Sequence, residues 1–445
     1  MAGIQGLPAV EGSGWRQLAW VRRDFFSYLQ HAATLGPLVQ LKPAPGVRIV
    51  LVNSAELFAE ILKRDAASYR KSDMTRRMVS KFLGQGLVLS EGSQHLRERA
   101  LIQPIFRPGS VQRLLPILGL TARNRLRQWP QDTPIDVGLE MGGLSLSALL
   151  LTLFDMHDGD DAFGVHEAMR RFADSIGSRF ERIPWPNWLP TPGNLRDRQA
   201  IRTVDRSLQA VVQARRHMSP GSDLIARLIG ARDHQGALTD GQLRDHLATL
   251  YFAGHETTAR TLTWAIAVLV RYPEWQQRLF QELWDNGGAR GPTAPELLAL
   301  PMMDHFLREL LRLYPPAWLF DRQSVVPTCL DGVELPAGTV FYLSPWLLHR
   351  NPDVFEDPER FDPDRHARTG PLPAFSYLPF GGGARQCIGQ HYALAMLKVV
   401  LAQLLLTHEL RHETAAMPDF KATATLAPAQ AVEIRVRRRP QGSGT

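Results

Sequence analysis

The sequence predicts a mainly α-helical protein with a small β-rich lobe. Three observations carry that expectation. Residues 109–231 place apolar side chains at helical spacing over most of their length. Two windows, 144–154 and 393–406, are almost wholly apolar, and an uninterrupted helical pattern runs from Thr239 to Tyr272. Against these stand short regions of β character, chiefly near 38–52 and 325–343.

The chain has 445 residues, 44% hydrophobic and 21% charged, enough for one large core. It reads as a single domain over 1–445, with loose ends at 1–12 and 437–445 and with no repeat or low-complexity linker. The two cysteines, Cys329 and Cys387, make no disulfide framework and suit a reducing cytoplasm. Lys+Arg of 51 against Asp+Glu of 44 gives +7 and a pI near 9.6. The arginines are spread widely and no nucleic-acid-binding motif is present, so an acidic protein is the more economical partner. The first residues lack the basic start and apolar run of a secretory leader. The apolar windows fall short of the roughly 20 residues of a membrane span. The expected location is therefore cytoplasmic, with those windows as core helices.

Taken in order, 38–41 and 47–52 flank Pro43-Ala44-Pro45-Gly46 and predict a hairpin. A helix over 54–62 follows, with Asn53 as N-cap and Glu56 as its box partner. The stretch 74–90, with Gly84 and Gly86, reads as loop and short helix. His95 and Arg99 lie four apart, so they share a helix face and can both donate to carboxylates; spacing alone favours a solvated basic face. Prolines across 183–193 forbid regular helix and leave an apolar connector carrying Trp185 and Trp188.

The longest helix candidate starts at Thr239, an N-cap whose capping box Gln242 completes, and ends at Tyr272 before Pro273. About 30 residues make it roughly 45 Å long. Its middle, Ala253-Gly254-His255-Glu256-Thr257-Thr258, breaks the pattern of a plain core helix. Gly254 costs about 1 kcal/mol against alanine there. Such local rule-breaking marks functional sites. Gly254 would admit a small ligand to the backbone, Thr257 offers a hydroxyl, and Glu256 can relay protons to water.

Glu309 and Arg312, three apart in an apolar run, are either an ordinary helix pair or a buried one, whose breaking would cost about 3–5 kcal/mol. Ala317-Trp318-Leu319-Phe320 then leads into a strand-like stretch bearing Arg322. Turn signals at Asp331-Gly332 and Ala337-Gly338 predict a second small sheet over 325–343, with Cys329 as an inert thiol in it. A last hairpin is expected over 425–436, turning near Pro428.

The most specific stretch is Phe380-Gly381-Gly382-Gly383-Ala384-Arg385-Gln386-Cys387-Ile388-Gly389. Its glycines allow close backbone approach. Cys387 is presented just before a helix expected over 390–406, where free N–H groups and the helix dipole favour a thiolate. A thiolate on a stiff loop suits haem iron as a single ligand. A lone cysteine among glycines is more often a buried small hydrophobe or a turn residue.

The pattern F-x-x-G-x-R-x-C-x-G resembles the haem-binding loop of the cytochrome P450 family. A-G-x-E-T-T at 253–258, E-x-x-R at 309–312 and the His95/Arg99 pair extend the resemblance over nearly the whole chain. It implies the cytochrome P450 fold around haem b. Cys387 would be the axial ligand of the iron, Phe380 the ring against the sulfur, and Arg385, His95, Arg99 and Arg322 partners of the propionates. His95 stands where tryptophan is commoner. Gly254 would lie beside the cofactor, and Glu256 and Thr257 would be the acid–alcohol pair. His255 is not expected to bind the metal, because Cys387 takes the proximal side. Glu309, Arg312 and Arg360 would form a buried network holding the cysteine loop. Phe252, Ala253, Ala317, Trp318 and Leu319 would line the substrate pocket.

The activity so implied is an O2-dependent monooxygenase that hydroxylates or epoxidises an apolar small molecule, fatty acid, terpene or polyketide-like. Electrons would come singly from NAD(P)H through a ferredoxin or flavodoxin and its reductase, since nothing in this chain reads as a reductase. Arg97, Arg385 and Lys398 are candidates for the docking face. A monomer is expected; the 183–193 connector reads first as packed on the core, with peripheral membrane contact through Trp185 and Trp188 as the alternative. Two alternatives stay open: a peroxide-using hydroxylase, which needs no proton relay, and a haem-binding sensor or electron carrier, which needs neither the acid–alcohol pair nor a pocket.

Overall fold

A computed structural model of the chain describes residues 6–42, 49–155, 189–216, 224–233, 236–368, 370–411 and 416–440. The chain divides into two compact units, residues 1–78 with 308–387 and residues 79–307 with 388–445.

The first unit is the β-rich lobe. Ile49-Val50-Leu51-Val52 is β-branched and buried at every position, as a central strand should be. It pairs antiparallel with Leu38–Leu41, giving the expected hairpin, whose turn at 43–48 lies outside the described residues. Val340–Leu343 adds to it in parallel, followed by Phe320–Ser324 and Tyr69–Arg70, both antiparallel to their neighbours. The second sheet expected over 325–343 is thus corrected. Thr328–Leu330 and Val333–Leu335 form a hairpin of their own, turned by Asp331 and Gly332 at positive φ, while the next strand joins the main sheet. The helix expected over 54–62 is Ala55–Ala59 followed by a π-helical turn, Glu60–Arg64. Ser54 rather than Asn53 is its N-cap, because Asn53 Nδ2 donates to Ala33 O at 3.3 Å. Leu38, Val50, Phe58, Leu62, Phe341 and Leu378 share one apolar core in this unit.

The second unit is helical around Asp240–Arg271, 32 residues capped by the expected Thr239–Gln242 box. Thr261–Leu269 is buried without a gap, so this half is apolar on every side. Val137–Phe154 and Gln390–Thr407 pack in the same unit, joined by a 2.8 Å Thr152–Tyr392 hydroxyl contact. Both are 18 residues long, longer than their apolar windows, and by length and composition either could cross a membrane. Each is 61% buried inside the fold, as core helices are.

The hairpin expected over 425–436 is corrected. Leu426–Pro428 pairs with Phe420–Ala422, and Glu433–Arg438 pairs with His408–Arg411 and Ile135–Asp136. Trp264 Nε1 donates to Leu426 O at 2.9 Å, which holds the first of these strands on the long helix. Pro8 and Val10 both bond Gln40, and the last strand reaches Arg438. Residues 8–10 and 437–438 are therefore part of the fold, where the sequence pattern leaves them loose. Trp185 and Trp188 lie outside the described residues.

Candidate active site: a cysteine loop and an acid–alcohol helix

The cysteine loop belongs to the first unit and hangs from Leu378, which is buried in the core described above. Gly381 N–H donates to Leu378 O at 3.1 Å, Gln386 N–H to Gly383 O at 3.1 Å, and Cys387 N–H to Phe380 O at 2.8 Å, closing the loop. Gly381 and Gly383 have φ of +69° and +65°. A Cβ at Gly383 would overlap the Leu62 carbonyl in the π-helical turn, and one at Gly382 would come within 2.9 Å of the Phe375 ring. These glycines are needed because the loop lies flat against that turn. Phe375 itself sits at φ +63°, a strained value for a bulky residue. Cys387 is exposed, Phe380 and Arg385 partly so.

This donor set fits an iron porphyrin. A porphyrin supplies the in-plane ligands itself, so one accessible, rigidly held sulfur completes it from the protein side. Among the described residues no group of three His, Cys, Asp or Glu is arranged to hold a metal unaided. The helix Gln390–Thr407 that follows has Gly389 as N-cap and no side-chain cap, leaving backbone donors for an anion.

Glu309 and Arg312 are fully buried. Arg312 donates twice to Glu309, both bonds at 2.9 Å, and to the carbonyls of His349, Pro358 and Arg360. The third cation is not Arg360. That side chain is exposed and only its carbonyl reaches Arg312, because its N–H closes a turn onto Asp357 O. Arg365 takes the place, with Nε donating to Glu309 Oε1 at 3.0 Å, and His366 Nε2 lies 3.0 Å from Oε2. Burial pushes the Glu309 carboxyl upward, but the bonds from Arg312 and His366 outweigh it and hold the pKa at about 2.

The acid–alcohol helix lies in the second unit. The space a side chain at Gly254 would need is taken by Leu149 Cδ1, at 2.8 Å. A glycine at 254 thus lets Leu149 of Val137–Phe154 pack close on the long helix. His255 Nε2 lies 3.1 Å from Gly142 O, and burial lowers its pKa to about 4. The ring is therefore neutral and donates to that carbonyl. Glu256 Oε1 accepts from Thr425 Oγ1 at 3.0 Å and lies 3.9 Å from Arg260 Nε. Thr425 is set in turn by Thr423 Oγ1, which donates to Thr425 O at 2.6 Å. Thr257 Oγ1 donates to Ala253 O at 2.6 Å. Ala253 is exposed, and Phe252 and Thr257 are half-buried, just before the fully buried stretch begins.

Other candidates divide. His95 is buried and Arg99 half-buried on Gly92–Ile102, so this is not a solvated basic face. Arg322 is buried, donating to Asp321 O at 2.7 Å. Ala317 and Leu319 lie on an open side, but Trp318 points the other way and is buried against Phe25 and Phe26. An extended chain alternates its faces, and this removes Trp318 from the pocket set. Lys398 is also corrected. It is buried, donates to Leu298 O and pairs with Asp304 at 2.7 Å, so it cannot serve a docking face. Cys329 is exposed opposite Glu334.

Sequence reasoning missed His349, Arg365, His366 and Thr425. Arg365 and His366 had a signal, a cation pair just after Phe361-Asp362-Pro363-Asp364. His349 had a fainter one, a histidine closing the apolar run Trp346-Leu347-Leu348.

The cytochrome P450 family model matches residues 15–434. Pentalenene oxygenase of Streptomyces avermitilis is 29% identical over 444 residues, covering 98% of this chain and 97% of that protein. Cyclooctatin synthase of Streptomyces melanosporofaciens is 31% identical over 84% of each chain. Cyclooctat-9-en-7-ol 5-monooxygenase of the same organism is 31% identical over 86% of this chain and 85% of its own.

Proposed function

We propose, because the chain belongs to the cytochrome P450 family, that it is a haem-thiolate monooxygenase that uses O2 and externally supplied electrons to hydroxylate or epoxidise an apolar, terpene-like small molecule. The observation that carries the O2-dependent reading is the less buried stretch of the core helix at Phe252–Thr257, where Glu256 accepts from Thr425 beside Thr257. A peroxide-using hydroxylase or an electron carrier has no use for a positioned acid there. The relatives named for pentalenene and cyclooctatin support the substrate class over fatty acids and polyketides.

When bound, the haem supplies the redox centre at which dioxygen is activated. Cys387 would hold its iron, with Phe380 against the sulfur. Arg385, His95, Arg99 and Arg322 would be the donors for its carboxylates. Thr257 has committed its hydroxyl proton to Ala253 O, so toward the open side it presents lone pairs and accepts from a water. Glu256, released from Thr425, would take a proton from solvent and pass it to that water, and Thr425 would recapture the carboxylate afterwards. Phe252, Ala253, Ala317 and Leu319 would contribute the apolar lining. Electrons arrive from NAD(P)H through a separate ferredoxin or flavodoxin and its reductase, in a cytoplasmic, monomeric enzyme.

The test uses purified haem-loaded protein. A panel of terpenes, fatty acids and polyketides is screened for Soret shifts, and the hits are turned over with NAD(P)H and redox partners or with hydrogen peroxide. Terpenes are expected to shift the band, and product is expected to need the redox partners. Shifts from fatty acids alone would remove the substrate class. Equal product from peroxide would remove the O2 reading.

A further inference from the structure

We propose that His349 is a positioning residue for the thiolate loop, its imidazole tying the buried Glu309–Arg312 pair to the backbone from which Cys387 hangs. The proposal rests on the reading of Cys387 as the iron ligand. Every contact lies within the first unit. Arg312 Nη1 donates to His349 O at 2.9 Å, and His349 Nδ1 lies 3.2 Å from Arg312 O, so the two residues clasp each other. On the far side of the ring, Leu378 N–H donates to His349 Nε2 at 2.9 Å. Leu378 O then accepts from Gly381, and Phe380 O from Cys387. A continuous path of hydrogen bonds and backbone thus runs from the buried ion pair to the sulfur-bearing residue.

The chemistry of the ring fixes its state. Nε2 accepts a peptide N–H, so it carries no proton, and Nδ1 must carry one to donate to Arg312 O. An imidazolium could not make both bonds. Burial, with Arg312 and Arg350 nearby, favours the neutral form, lowering the pKa to about 3. The ring is wholly buried and lies 5.1 Å from the Tyr377 ring, whose hydroxyl donates to Arg308 O. Without the imidazole, the buried Leu378 N–H would have no acceptor, a state that folded proteins avoid. The loop would lose its register just before its first left-handed glycine.

Two substitutions separate the ring's two ends. In His349→Gln the amide oxygen reaches the Nε2 position and can accept from Leu378; in His349→Asn the shorter amide matches only the Nδ1 position. Haem-loaded proteins are reduced under carbon monoxide, and the strongly red-shifted band of thiolate ligation is compared with the short-wavelength band. The ratio of the two is expected to fall about tenfold in the asparagine variant, with most of it retained in the glutamine variant. A wild-type ratio in the asparagine variant overturns the proposal. If neither variant takes up haem, neutron diffraction of the wild-type protein decides: a proton on Nδ1 supports the proposal and a proton on Nε2 overturns it. A wild-type protein without the red-shifted band fails the thiolate reading instead. The hold on the loop is then judged by amide exchange at Leu378, Gly381 and Cys387, expected about tenfold faster in the asparagine variant and overturning the proposal if unchanged.

Discussion

Glu256 accepts from Thr425 and lies near Arg260, so a hydroxyl just before the Leu426–Pro428 strand helps to position its carboxylate. Thr425→Val keeps the shape of the side chain and removes the donor. Product formed per NAD(P)H consumed is expected to fall, with hydrogen peroxide released in its place, and Thr257→Ala is expected to show a larger effect of the same kind. Electron consumption, product and peroxide are measured together; unchanged coupling in both variants would end the relay role. The acid and the alcohol were legible in the sequence because they violate the pattern of a core helix. Thr425 was not, because a hydroxyl far along the chain leaves no local mark on the helix it meets. Gly254 was legible as an anomaly, but its cause was hidden. Only three-dimensional packing brings Leu149 of another helix to 2.8 Å from where a Cβ would sit.

At the scale of elements, the loop and the turn beneath it separate two glycines that look alike in the sequence. Gly381→Ala meets nothing closer than 3.9 Å and bears only the cost of a left-handed residue, about 1–2 kcal/mol. Gly383→Ala bears that cost and also drives a methyl group into the Leu62 carbonyl. Haem content and urea midpoint are expected to fall far more for Gly383→Ala; equal effects would mean the loop does not rest on the Glu60–Arg64 turn. The buried network gives a parallel contrast. Arg365→Met strands part of the Glu309 charge and should cost about 3–5 kcal/mol. Arg360→Met, exposed, should stay within about 0.5 kcal/mol. Elements defined by local chemistry were readable, the Thr239–Gln242 box and the Ile49–Val52 strand among them. Pairings between distant strands were not. Val340–Leu343 chooses Ile49–Val52 and Phe320–Ser324 over its sequence neighbours for reasons of sheet order alone.

At the scale of the whole molecule, the buried groups make stability depend on pH in a definite direction. His349 is held neutral in the folded state, chiefly by burial, with a pKa of about 3 against 6.5 for an ordinary histidine. Between those values the unfolded chain binds a proton that the folded chain refuses, so stability is complete above pH 6.5 and is lost as pH falls toward 3. One proton corresponds to about 1.4 kcal/mol per pH unit, or about 5 kcal/mol across the window. Glu309, held at about 2 against 4.5, acts in the same direction at lower pH, and its share of about 3 kcal/mol begins to go below pH 4.5. His255 and His408, both lowered to about 4 by burial, remain in any His349 variant, so a difference measurement isolates the one ring. Urea unfolding of wild type and His349→Gln at equal haem loading, at pH 7, 6 and 5, should give a pH slope that is shallower in the variant by about 1.4 kcal/mol per unit below pH 6.5. Parallel slopes would mean that His349 already carries its proton in the folded protein, and an imidazole in that state could not accept the Leu378 amide.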